Sequence, residues 1–306
     1  RNLAPVNLKM VSTSPVEDQT TAASKLKADR YIASNRFTVR QGREAKFEKR
    51  WATRKSRLAS LDGFKYFHLM RRVNLETGEY EGGVDSASAF GNYVSFTIWN
   101  NKGAFNAWRK GDAFKEAHGG TSIGAFVSTM VNSALVLRGA PKPAFYDGLM
   151  LQSMKPESLP NLQDGWRVFN EEIEGVLPAE CFVACNQFFV PSENAVAFEQ
   201  RWANRKSLLK ECDGFVAFSM LRRDGNVSGH GTSPMTEDEP TYVSIAIWRD
   251  RDAFDSWRTG SNFKAAHGQK PDEKKPEGSP PAPLWSKPPS PIFYEGKLVI
   301  TSEDGA

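Results

Sequence analysis

The sequence predicts an α+β protein made of two tandem ferredoxin-like units packed as an internal pseudo-dimer. Three observations carry this. One unit is written twice; each copy runs strand, helix, strand, strand, short helices, strand; and 306 residues, 40% hydrophobic and 25% charged, leave room for two packed cores.

The duplication is direct. "SNRFTVRQGREAKFEKRWATRKSRLASLDGFKYFHLMRR" returns as "CNQFFVPSENAVAFEQRWANRKSLLKECDGFVAFSMLRR", with Asn35 matching Asn186, Trp51 matching Trp202 and Gly63 matching Gly214, all 151 apart. "YVSFTIWNNKGAFNAW" returns 149 residues on as "YVSIAIWRDRDAFDSW", and "PAFYDGLMLQS" returns 148 on as "PIFYEGKLVIT". Three residues of slippage across a unit mean that loops changed while the elements stayed.

In the first copy, 31–40 alternates β-branched and aromatic residues and reads as a strand. Residues 43–60 place Phe47, Trp51 and Leu58 at near-helical spacing and read as a helix that stops before the Asp62-Gly63 turn. Residues 64–72 and 93–99 read as strands joined through a polar, glycine-containing loop. Next comes "WRKGDAFKEAH", matched in the second unit by "WRTGSNFKAAH". A continuous helix turns ~1000° over ten residues, which puts Trp108 and His118 on different faces. Gly111 and Gly260 instead break the segment into two short helices, so that tryptophan and histidine face one pocket. The resulting units span 30–153 and 180–302, after a flexible arm at 1–29 and around a linker at 154–179, whose "WRVFNEEIEGV" reads as a short helix. Helices lie on one face of each antiparallel sheet, and the two sheets pack face to face as in a homodimer, giving a monomeric pseudo-dimer.

Composition excludes several classes. A net charge of +4, from 40 basic and 36 acidic residues spread along the chain, makes no case for nucleic acid or an anionic membrane. No apolar run approaches the ~18 residues that span a bilayer. Cys181, Cys185 and Cys212 are odd in number and lack CxxC spacing, which argues against a disulfide scaffold or zinc site and for a reducing compartment. The polar opening stretch reads either as a disordered arm or as the remnant of a processed targeting peptide.

The two copies diverge after the histidine. The second continues "GQKPDEKKPEGSPPAPLWSKPPSP", a charged, proline-rich loop. The first continues with Ile123, Phe126, Val127, Met130, Ala134 and Leu137 at helical spacing, an apolar stripe that packs over the first pocket or against a partner.

The motifs "NRFTV" or "NQFFV", "LDGF" or "CDGF", "TIW" or "AIW", "AFNAWRKGDAFKEAH" or "AFDSWRTGSNFKAAH", and "SPIFYEGKLVIT" come in one order. Together they resemble the antibiotic-biosynthesis-monooxygenase superfamily of dimeric α/β barrels and, within it, the IsdG-type haem oxygenases. The tandem arrangement is similar to that of green-algal haem oxygenases. The resemblance implies haem as both substrate and cofactor, opened by O2 with electrons from an unidentified reductase or small reductant, with iron released. It implies catalytic roles for Asn35 and Trp108 in one unit and for Asn186 and Trp257 in the other, with His118 and His267 as axial ligands of haem iron. In that scheme the asparagine amide donates a hydrogen bond to the reacting oxygen and the indole presses the porphyrin out of plane. Algal relatives imply a chloroplast, with the cytoplasm as the alternative.

Read alone, each of these residues has a plainer role. His118 and His267 suit helix C-termini, the asparagines a strand edge, and Trp108 and Trp257 a core. Trp51, Trp99, Trp202 and Trp248 read as packing, and His68 and His230 as not metal-binding. Two other functions stay open: a cofactor-free monooxygenase acting on an aromatic, and a non-catalytic haem-binding protein.

Overall fold

The structure, a computed structural model, describes residues 24–54, 57–81, 91–117, 133–154, 162–163, 166–167, 174–205, 207–225, 239–266 and 283–302. The first unit contains β1 (Arg30–Phe37), α1 (Glu44–Ala52), β2 (Phe64–Val73), β3 (Tyr93–Trp99), α2 (Lys102–Lys110), α3 (Asp112–Ala117) and β4 (Lys142–Ser153). A two-stranded ladder, β5 (Leu162–Gln163) with β6 (Trp166–Arg167), follows. The second unit repeats the set: β7 (Cys181–Phe189), α4 (Ala195–Ala203), β8 (Phe215–Arg223), β9 (Tyr242–Trp248), α5 (Arg251–Thr259), α6 (Ser261–Ala266) and β10 (Lys287–Thr301).

Eight strands close one antiparallel barrel in the order β1-β3-β2-β10-β7-β9-β8-β4. The two sheets therefore face each other across a shared interior and are also bonded along both edges. The last strand of each unit does the joining. β4 pairs with β1 and then with β8; β10 pairs with β7 and then with β2. Closure leaves the barrel itself no open sheet edge of the kind a lone unit would present to solvent.

Strand alternation sorts the side chains into layers. Ile32, Phe96, Ala144, Tyr146, Val183, Ile245, Ile247 and Tyr294 fill the barrel. The opposite faces pack under the helices, as one aromatic cluster in the first unit and two in the second.

Two local expectations need correction. The helix expected over 43–60 ends at Ala52, where the Thr53 hydroxyl donates back to the Lys49 carbonyl at 2.9 Å; Leu58 is buried by a separate 3-10 turn, Leu58–Ser60. The linker segment expected to be helical puts Trp166–Arg167 into a strand pair, and 168–173 lie outside the described residues. The apolar helix expected after His118 also lies outside them as far as residue 132, although Val136 and Leu137 are buried in the first unit's cluster.

A pair of reciprocal latches reinforces the pseudo-twofold. Glu48 and Glu199, both 0% exposed, occupy matching positions on α1 and α4. Glu48 accepts from the Tyr93 hydroxyl at 2.6 Å and faces Arg71 at 3.8 Å; Glu199 accepts from the Tyr242 hydroxyl at 2.7 Å and pairs with Arg222 at 3.0 Å. Each carboxylate takes its last bond from the other unit's approach segment. The Leu177 N–H, before β7, donates to Glu48, and the Leu26 N–H, before β1, donates to Glu199. Burial, followed by the adjacent glutamate, drives both phenols far above their ordinary pKa, so both act as fixed donors.

His68, on β2 inside the barrel, is 0% exposed, and neither ring nitrogen has a hydrogen-bond partner. Burial alone pushes its pKa down to about 3. The folded protein keeps this imidazole neutral while the unfolded chain protonates it near pH 6.5. Its contribution to stability is therefore whole above that pH and is lost as pH falls toward 3. We expect unfolding free energy to fall by up to about 1.4 kcal/mol per pH unit across that window on this residue's account. His68→Leu should flatten the slope. Urea midpoints at pH 7, 5 and 4 check this, and parallel slopes in the two proteins would show that His68 is not the titrating group.

Candidate active site

The site in the second unit starts at a turn. Gly214 sits at φ +70°, and a Cβ there would lie 2.4 Å from the Ala253 Cβ, so only glycine lets α5 rest on the β8 turn. Asp250 caps α5 by accepting from the Ala253 N–H at 2.8 Å, and Gly260 ends it, allowing α6 to start at Ser261 in a new direction. The first unit repeats each device: Gly63 at φ +74° against Ala104, the Asn101 cap at 2.9 Å, and Gly111.

These constraints build an aromatic cage. The Trp257 ring lies 5.2 Å from Trp248, 5.8 Å from Phe254 and 4.9 Å from Phe263, the last nearly perpendicular at 87°. In the first unit Trp108 lies 5.3 Å from Trp99, 5.9 Å from Phe105 and 5.0 Å from Phe114. Trp202 stacks on Phe218, as Trp51 stacks on Phe67.

Under the second cage is a cavity of about 440 Å³. Trp202, Phe218, Phe254, Trp257, Phe263 and Phe293 line it with aromatic rings, and Asn186, Asn262 and Ser244 bring polar groups to it. Asn186 is the exposed residue of β7, and its amide bonds to no other described residue. Asn35, its match, is half-buried on β1. The structure thus brings Asn186 and Trp257 to one cavity, and it places Trp108 in the equivalent cage. His118 and His267 lie outside the described residues; His267 is the next residue after α6, whose Asn262 and Phe263 line the cavity. Among the described residues no group of three or more His, Cys, Asp and Glu side chains is placed to hold a metal, and no helix is long and apolar enough to cross a membrane.

Sequence reasoning missed several lining residues. Arg205 stacks over Trp202 at 5.0 Å, and burial followed by the charge of Arg201 lowers its pKa, so an anion beside it would be stabilised. The first-unit match, Arg54, lies 4.9 Å over Trp51, with its pKa lowered to about 10 by burial and then by Arg50. The repeated Trp-x-x-Arg was the available signal. Met150 and Gln152 also line the cavity although they belong to the first unit. The units differ beside the cage as well. Arg57 ties down α3 through Glu116 with bonds of 3.1 and 2.9 Å, whereas the matching positions in the second unit are Leu208 and Ala265.

A cavity with aromatic walls, an available amide and cationic groups at hand can hold a flat, partly anionic aromatic molecule and direct a donor at it. Solved structures of similar fold include a protein from Fusobacterium nucleatum, provisionally described as a monooxygenase, at 12% identity and TM-score 0.51, covering 92% of this chain and 98% of that one. Another, from Lactobacillus acidophilus and described in the same way, aligns at 10% identity and TM-score 0.50, covering 89% of this chain and 96% of that one. A haem-degrading enzyme from Listeria monocytogenes aligns at 8% identity and TM-score 0.32 over 86% of this chain and 98% of that one. Residues 30–120 and 181–269, one block in each unit, match the antibiotic biosynthesis monooxygenase family, and the chain belongs to that family.

Proposed function

We propose that the second-unit cavity takes haem as its substrate and that the chain opens the porphyrin with O2 and electrons from an external donor, releasing iron. The observation that carries this is that Asn186 and Trp257, 71 residues apart, line one aromatic-walled cavity. The walls fit the group: Trp202, Phe218 and Trp257 offer flat apolar surface to a macrocycle, and Arg205 and Arg258, the latter paired with Asp255 at 2.8 Å, bring cationic side chains to the lining. Haem itself supplies the site of oxygen activation. The residues position it. His267 would ligate the iron, Trp257 would press against the ring, and Asn186 would offer a hydrogen-bond donor to the reacting face.

Asn262 and Ser244 beside Asn186 support a second reading, cofactor-free oxygenation of a phenolic aromatic, because they add polar partners that a porphyrin face does not need. Adding haem to the purified chain separates the two: an absorption band of ligated haem supports the first, and its absence leaves the second. Asn186→Ala should keep the band and slow its loss under reductant and oxygen by ~10²-fold. Unchanged kinetics in that variant would remove Asn186 from the chemistry.

A further inference from the structure

Each unit's aromatic cage is walled in part by a strand that the other unit supplies. In β4, Ala144 and Tyr146 point into the barrel, while Phe145 and Leu149 pack on the outer face. Pairing with β8 then slips by one residue between Leu149 and Gln152. This β-bulge reverses the alternation, so Met150 and Gln152 face outward into the second unit's cavity and Leu151 turns toward the barrel interior. Met150 carries the switch with φ +54°, and it is the non-glycine residue at positive φ among the described residues. Such a conformation is strained for a residue that carries a side chain and persists where the surroundings impose it.

β10 does the same for the first unit, with different residues. Its pairing with β2 slips between Gly296 and Leu298, so Leu298 and Ile300 face outward. Leu298 matches Met150 and Ile300 matches Gln152, 148 residues apart. The outcomes differ: Leu298 is 2% exposed and Ile300 7%, both inside the first unit's aromatic cluster, whereas Met150 and Gln152 are half-buried and line open space. Gln152 is further held by a bond from the hydroxyl of Ser207, another lining residue, at 3.1 Å. The two cages have matching ring distances, so the donated pair is one of the differences between the two units that bears on the cavity wall.

The geometry points to Met150 and Gln152 as specificity-determining residues of the second-unit site, a wall supplied by the first unit that sets the size of aromatic substrate admitted. It rests on the proposed function for the identity of that substrate, and on the cavity alone for its existence. Two probes keep these apart: haem, and anilinonaphthalene sulfonate, a smaller aromatic anion that reports the cavity whether or not haem is the substrate. Met150→Leu with Gln152→Ile copies the first unit's wall into the second. We expect the double variant to bind both probes about tenfold or more weakly, with its melting temperature kept. Gln152→Leu alone, which leaves the strained backbone at 150 untouched, should weaken both probes in the same direction and serves if the double variant fails to fold. Wild-type affinity for both probes in a folded variant overturns the inference. If the wild-type chain binds the sulfonate and not haem, the substrate assignment fails, and loss of sulfonate binding in the variants still establishes the shared wall.

Discussion

On the proposed function, His267→Ala is expected to abolish haem binding and turnover by the whole chain, and His118→Ala to leave about one haem bound per chain with turnover near that of the unaltered protein. The expectation comes from the differences between units rather than from the histidines, which occupy matching positions. In the second unit the strand donated by its neighbour presents Met150 and Gln152 to an open cavity; in the first, Leu298 and Ile300 are packed away among aromatic rings. The Arg57–Glu116 pair also holds α3 in the first unit, and the second has Leu208 and Ala265 instead. Haem titration of both variants, followed by absorbance under reductant and oxygen, reads the result. Two haems per unaltered chain with equal losses from either substitution would show both sites to be working.

Glu199→Ala is expected to destabilise the fold by about 3 kcal/mol or more, because it strips a buried acceptor from the Tyr242 hydroxyl, the Arg222 guanidinium and the Leu26 N–H at once. Arg222 keeps Asp147 at 2.8 Å, which holds the cost below that of a wholly unpaired charge. In a chain of this size each kcal/mol moves Tm by about 2–4 °C, so calorimetry resolves the change easily. Amide exchange at Leu26 separates a latch from a mere hole in the core: protection there is lost in the variant, and a protected Leu26 would mean that the approach segment is held by other contacts.

Most of the architecture was legible because it was written twice. Matching glycines at 63 and 214 and matching breaks at 111 and 260 are local signals, and each produced the turn or helix end that its chemistry requires. The overlong helix at 43–60 failed because Leu58 shows the right spacing for a helix yet is buried by a separate turn; periodicity does not register a hydroxyl such as that of Thr53 closing the helix end. The barrel was expected from the resemblance to dimeric α/β barrels, but which strands close it was illegible for a different reason. The partners of β4 and β10 in the other unit are chosen by edge pairing over long sequence separations, and their bulges appear in the sequence only as a broken alternation. Met150 and Gln152 went unnoticed for that reason: nothing local assigns them to the cavity of the other unit. Asn186 and Trp257 were legible because the whole motif containing them recurs.

The central claim, that this chain opens haem in its second-unit cavity, is tested most directly by iron release in a single turnover. The protein is loaded with one equivalent of haem, given reductant and air, and followed at the haem band with a ferrous-iron chelator present. The band should disappear while close to one iron per bound haem reaches the chelator, and Asn186→Ala should slow both together. A haem band that persists through reduction and reoxygenation, with no iron captured, would contradict it.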